Sequence, residues 1–169
     1  EPKVAPLPSV GHLADIAAPA ILLSQAIGPW GDIINGEHFA SVSTLPWGII
    51  YSHPNSPGFG RPASHPAVAY ELLMDLALLA VLWPLRKRIR PQGMFFALYL
   101  ATYSVGRFFV SFLREEFNDY GGLNEAQIIA LVVMGITIPL LAFKARLAKP
   151  GDEPPKSGTR SSRRRARRA

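Results

Sequence analysis

Residues Gln92–Arg114 read QGMFFALYLATYSVGRFFVSFLR, and this stretch decides the fold. Roughly 20 residues rising 1.5 Å each cross the ~30 Å hydrocarbon core of a bilayer. Before the terminal Arg114 the segment carries a single charge, the guanidinium of Arg107, about two helical turns before its far end. An arginine at mid-depth costs on the order of 3 kcal/mol or more. Arg107 is therefore expected to face a protein interior or a watery cleft and to meet an anion. The other reading is an arginine near the interface that snorkels to headgroups. Tyr99 and Tyr103 precede Arg107 by eight and four residues, so the three share one helix face. That face reads as the wall of a polar site.

Working outward, three more apolar segments emerge: Leu13–Asn35, Pro66–Leu85 and Glu125–Phe143. Pro19 and Pro29 predict a kinked or broken helix in the first. Between the first and second, residues 39–65 mix Pro, Gly and Ser with Trp47, Tyr51 and Phe59, as in an interfacial aromatic belt. The residues around Pro46–Ser52 fit a short strand or hairpin.

Charge orients the segments. Arg86, Lys87, Arg88 and Arg90 form a short basic loop, and Lys144, Arg146 and Lys149 follow the last segment. The positive-inside rule places both on the cytoplasmic side. From Lys144 onward ten basic residues face only Asp152 and Glu153, so the tail exceeds the chain's net +6 and the body is nearly neutral. That pattern argues against a soluble nucleic-acid binder with a basic face. The tail reads as an anchor to anionic headgroups; nucleic-acid contact, lacking interleaved aromatics, is the weaker alternative. With no cysteine, disulfides, thiol nucleophiles and cysteine-held metals are excluded. The sequence opens on Glu1 without a signal-peptide pattern, so a preceding segment is expected.

The expected fold is an all-α integral membrane protein with about four transmembrane helices, an irregular outer loop region and a disordered basic C-terminal tail. Residues 1–12 are expected as linker, 13–148 as the bundle and 149–169 as the cytoplasmic tail. The alternation of segments gathers Asp32, Asn35, Glu37, His38, His65, Tyr70, Glu71, Arg107 and Arg114 in the outer half of the bilayer. A cationic pocket there suits an anionic headgroup, because guanidinium binds phosphate through paired hydrogen bonds. His65 suits a general base if it neighbours the site, and equally a loop imidazole capping the next helix.

These residues resemble a known family, the prolipoprotein diacylglyceryl transferases. Gly28-Pro-Trp-Gly-Asp-Ile-Ile-Asn-Gly-Glu37 is similar to that family's Gly-Arg-x-Gly-Asn-x-x-Asn-x-Glu. His65-Pro66 with Tyr70-Glu71 matches its His-Pro-x-x-x-Tyr-Glu. Tyr103-Ser-Val-Gly-Arg107 with Phe112-Leu-Arg114 resembles its Tyr-Gly-x-x-Arg plus Phe-x-Arg, and Gly122-Leu123 with Gln127 fits the start of its last helix.

The resemblance implies a bacterial inner-membrane enzyme, with its C-terminus cytoplasmic. It would move diacylglyceryl from phosphatidylglycerol to the lipobox cysteine of a prolipoprotein, recognising the signal peptide and using no metal or organic cofactor. Arg107 then matches the essential late arginine and holds the headgroup with Asn35 and Tyr103, while His65 is an auxiliary base. Asn35, Glu37, Tyr70, Glu71 and Arg114 match further motif positions, and Asp32 replaces an asparagine. The family's upstream helices, with a catalytic histidine in a His-Gly motif, have no counterpart in this sequence.

Other departures bear on activity. Pro29 stands for an essential arginine, Ala40 for an important glycine, Ser111 for a glutamate and Val68 for a common glutamine. They support a second reading, a pseudoenzyme: a non-catalytic, lipid-binding structural subunit of a larger membrane complex. A small transporter or channel finds little support, since there is no repeat and no ring of like charges.

Overall fold

The computed structural model describes residues 8–37, 39–115 and 119–148. His38, the first part of the expected linker, residues 116–118 and the tail from 149 lie outside the described residues. Among the described residues, four helical spans are long and apolar enough to cross a membrane: Val10–Asn35, Ala67–Leu85, Met94–Leu113 and Glu125–Lys144. Many of their large apolar side chains are exposed, among them Leu73, Val81, Phe109, Phe112, Val132 and Ile136. Such surface has no place in water at this density but suits contact with lipid tails.

The first span is α1 (Val10–Ile27) followed by α2 (Pro29–Asn35). The interruption falls at Gly28-Pro29, where proline has no N–H to continue the ladder. Pro19, in contrast, is carried inside α1. Ser9 begins α1 earlier than residue 13, because its Oγ accepts the His12 backbone N–H at 3.2 Å. Helix α3 (Ala67–Leu82) starts directly after His65-Pro66 and passes into a 3₁₀ turn at Trp83–Leu85, where Pro84 stops it.

Helix α4 (Met94–Val110) packs against α1, α3 and α5 (Glu125–Lys144), so the stretch quoted first is the hub of the bundle. The core beside it consists of Ala18, Leu22, Leu82, Phe95 and Tyr99. Gly93 precedes α4 at φ +92° and offers no side-chain cap. Asp15 of α1 supplies one across the bundle: its Oδ2 accepts the Gly93 N–H at 2.8 Å and its Oδ1 the Phe96 N–H at 2.9 Å. A carboxylate on the positive end of a helix also complements the macrodipole. Helix α5 carries its own capping box, in which Asn124 Oδ1 accepts from Gln127 N and Gln127 Oε1 accepts from Asn124 N.

Contacts between connections establish the up-and-down order. At one end, Ser41 N–H donates to Leu113 O, Glu115 N–H to Phe39 O and His65 N–H to Ser41 O. At the other, β1 (Ile89–Arg90) pairs antiparallel with β4 (Arg146–Leu147), and Ser9 bonds Gln92. A second two-residue pair, β2 (Asp119–Tyr120) with β3 (Leu123–Asn124), turns the chain into α5. Around Pro46–Ser52 the structure has isolated strand-like bridges in place of a hairpin. Ile49 bridges Ser64, and Tyr51 bridges Phe59, so the loop folds onto its own later half.

Candidate functional site

Glu71 sits one turn into α3, and its carboxylate gathers three side chains from α4 and the turn beyond it. Arg107 Nη1 donates to Glu71 Oε2 at 2.8 Å, Arg114 Nη1 to the same oxygen at 3.0 Å, and Tyr103 OH to Oε1 at 3.3 Å. Arg107 and Tyr103 share a face because they lie four residues apart on α4. Arg114 reaches the same carboxylate from beyond the helix: a 3₁₀ turn at Ser111–Leu113 ends α4, and Arg114 is extended at φ −93° and ψ 140°.

The side chains are 19 % exposed for Arg107 and 13 % for both Arg114 and Glu71. Arg107 thus faces the protein and meets an anion, but the anion is a protein carboxylate.

The same helix face continues inward. Tyr99 lies 6.0 Å from Tyr103, centroid to centroid, and its hydroxyl donates to Gln25 Oε1 of α1 at 2.9 Å. Asp75, one turn beyond Glu71 on α3, has 0 % exposure. Neither of its carboxylate oxygens has a hydrogen-bond partner among the described residues.

Backbone pairing supports the Arg114 end. Ala40 bridges Arg114, and Ala40 is buried without displacing that strand-like contact. Arg61 pairs with Glu115 and stacks over the Phe39 ring at 4.0 Å. Ser111 is buried; its backbone carbonyl accepts from Asn124 Nδ2 at 3.1 Å, while its Oγ has no hydrogen-bond partner among the described residues. Val68 is likewise buried.

Other expected residues form separate groups. Asn35 Nδ2 donates to Glu37 Oε1 at 3.1 Å, with both residues exposed at the end of α2, and Asp32 lies one turn earlier. Gly36, at φ +75°, ends α2 against Tyr51 and Ser56. Tyr51 OH donates to Ile33 O at 2.9 Å, and burial pushes its phenol pKa above the ordinary 10.0. His65 does not cap α3. The α3 start has no side-chain cap, and His65 Nδ1 is buried without a hydrogen-bond partner among the described residues. Its ring stands 6.3 Å from that of Tyr70, whose hydroxyl accepts from Trp47 Nε1 at 2.7 Å.

The sequence reading named Glu71 but missed its place between the two arginines. It also missed Asp15 and Gln25; neither belongs to a local pattern. The α5 capping box was detectable as Asn124-x-x-Gln127.

Known proteins share sequence with this chain. The family profile described as prolipoprotein diacylglyceryl transferase matches residues 7–143. Three relatives named phosphatidylglycerol–prolipoprotein diacylglyceryl transferase illustrate the range. That of Dehalococcoides mccartyi is 32 % identical over 145 residues, covering 86 % of this chain and 56 % of the relative. That of Nocardia farcinica is 37 % identical, covering 85 % and 30 %. That of Gloeobacter violaceus is 38 % identical, covering 73 % and 48 %. The chain spans about half the length, or less, of these curated relatives. Because the match runs from α1 to the end of α5 without leaving out a helix, the chain belongs to the prolipoprotein diacylglyceryl transferase family, a family of integral membrane proteins.

Proposed function

We propose that this chain forms the phosphatidylglycerol-binding part of a diacylglyceryl transfer site in the bacterial inner membrane, with its C-terminus cytoplasmic. The observation that carries the proposal is the sharing of one carboxylate, Glu71, by Arg107 and Arg114. Arginine's planar fork suits phosphate oxygens, and a low-dielectric setting strengthens the contact.

In the transfer, the thiolate of a prolipoprotein cysteine attacks the glycerol carbon that bears the phosphate. A C–S bond forms, the C–O bond breaks, and the electron pair leaves with glycerol phosphate. Charge grows on the leaving phosphate, where Arg107 and Arg114 stabilise it and Tyr103 orients Glu71. Asn35, Glu37, Asp32 and Tyr70 lie at the same end of the bundle. His65, directly before α3 at the same end of the bundle, serves as the auxiliary base.

A second reading rests on Pro29. Proline at the first position of α2 carries no charge and donates no hydrogen bond where the resemblance calls for an arginine. On that reading the cleft holds lipid without transferring it, within a larger membrane assembly. Purified protein given phosphatidylglycerol and a lipobox peptide separates the two, with and without Pro29→Arg. Thioether product from the unmodified chain establishes transfer. Product only after Pro29→Arg establishes a lipid seat that lacks the cation the resemblance calls for at position 29, and no product from either favours the subunit.

A further inference from the structure

We propose a second anion seat at the opposite end of the bundle, built by Arg90 and Arg146 for the phosphate of an anionic lipid headgroup or for free phosphate. It is independent of the transfer reading, since it uses none of Glu71, Tyr103, Arg107 and Arg114.

The register of β1 on β4 sets Arg90 directly opposite Arg146. Directly opposed residues of an antiparallel pair project from one face about 5 Å apart, and like charges there repel. No carboxylate pairs with either guanidinium among the described residues. The neighbouring charges are also positive: Lys87 and Arg88 precede β1, Lys144 precedes β4, and Arg86 is engaged with the carbonyl and ring of Trp83. Asp15, an acid on the adjoining helix, is committed to the Gly93 and Phe96 N–H groups.

The two arginines line a cavity of about 680 Å³ together with Ser9, Gly11, Pro91 and Gln92. The α1 N-terminus forms part of its wall, with no acidic residue in the first turn. Glycine is required at position 11, because a Cβ there would stand 2.9 Å from Gln92 O. A concave wall with two guanidinium forks and a positive helix end fits one tetrahedral anion. Its position among the basic connections puts it level with headgroups rather than acyl chains.

The test uses the purified full chain in uncharged detergent with inorganic phosphate, and in phosphatidylcholine nanodiscs with or without phosphatidylglycerol. Bound lipids are counted by native mass spectrometry, and thermal midpoints are read alongside. The wild type is expected to hold one phosphatidylglycerol more than Arg90→Gln/Arg146→Gln, whose affinity at that site falls at least about tenfold. Arg107→Gln is expected to keep this lipid. Protection by phosphate without lipid assigns free phosphate as the occupant; protection by phosphatidylglycerol alone assigns the headgroup.

The unliganded Gln double variant is expected to melt at or above the wild type, because a repulsion has been removed. Arg90→Lys/Arg146→Lys guards against a folding defect: it keeps the charge, loses the forks, and is expected to bind about threefold weaker or worse. Equal lipid counts and equal affinities in all three chains overturn the proposal.

Discussion

Replacing Glu71 by glutamine keeps the shape of the side chain and removes the charge that two guanidinium groups share. Arg107 and Arg114 would then stay in a site where their side chains are only 19 % and 13 % exposed. Removing one partner of a buried ion pair costs ~3–5 kcal/mol. Glutamine retains one acceptor oxygen and the arginines keep some access to water, so the lower end applies, ~3 kcal/mol. At ~2–4 °C per kcal/mol for a chain of this length, the thermal midpoint in uncharged detergent should fall by ~6–12 °C. Phosphatidylglycerol supplies an anion to the same guanidinium groups, so added lipid should recover more stability in Glu71→Gln than in the wild type. A fall below ~0.5 kcal/mol, the scale of a solvated surface pair, would refute the idea of a desolvated cluster. An equal lipid response in both chains would refute its availability to phosphate.

Asp15→Ala removes the acceptor for two N–H groups at the start of α4 and should lower stability by ~1–2 kcal/mol, measured by thermal melting; Asp15→Asn should retain part of it. Asp75→Leu should leave stability unchanged or raise it, because it replaces a buried carboxylate without hydrogen bonds by an apolar group. Gly36→Ala forces a Cβ into a left-handed residue and to 2.5 Å from Ser56 Oγ, and should cost ~1–3 kcal/mol and loosen α2 in hydrogen exchange. Tyr51 has a phenol pKa raised in the folded state, so its contribution is complete below pH ~10 and lost as pH rises through the raised value. Tyr51→Phe should abolish that alkaline component of the melting profile.

The membrane fold was legible because its main signal is local. A run of apolar residues near the thickness of a bilayer identifies a span without knowledge of neighbours, and basic loops orient it. The interruption near Pro29 was legible for the same reason, since proline acts on its own backbone. The site was legible only in part. Spacing put Tyr99, Tyr103 and Arg107 on one face, and the order of the segments put Glu71 at the same end. Which atoms meet depends on how α3 docks on α4, a long-range fact absent from either segment alone. The Asp15 cap joins residues 78 and 81 apart in sequence, so no local motif announces it. His65 shows the reverse failure: a capping role fitted its position before a helix, whereas the backbone of Ser41 holds its N–H and the ring turns toward Tyr70.

The most direct measurement is the affinity of the purified chain for phosphatidylglycerol in uncharged detergent, in an Arg90→Gln/Arg146→Gln background that leaves the Arg107 end as the only proposed seat. Adding Arg107→Gln is predicted to weaken binding at least about tenfold, as expected for losing one charge-assisted contact to phosphate. Unchanged affinity after that substitution would contradict a lipid phosphate held by Arg107 and Arg114.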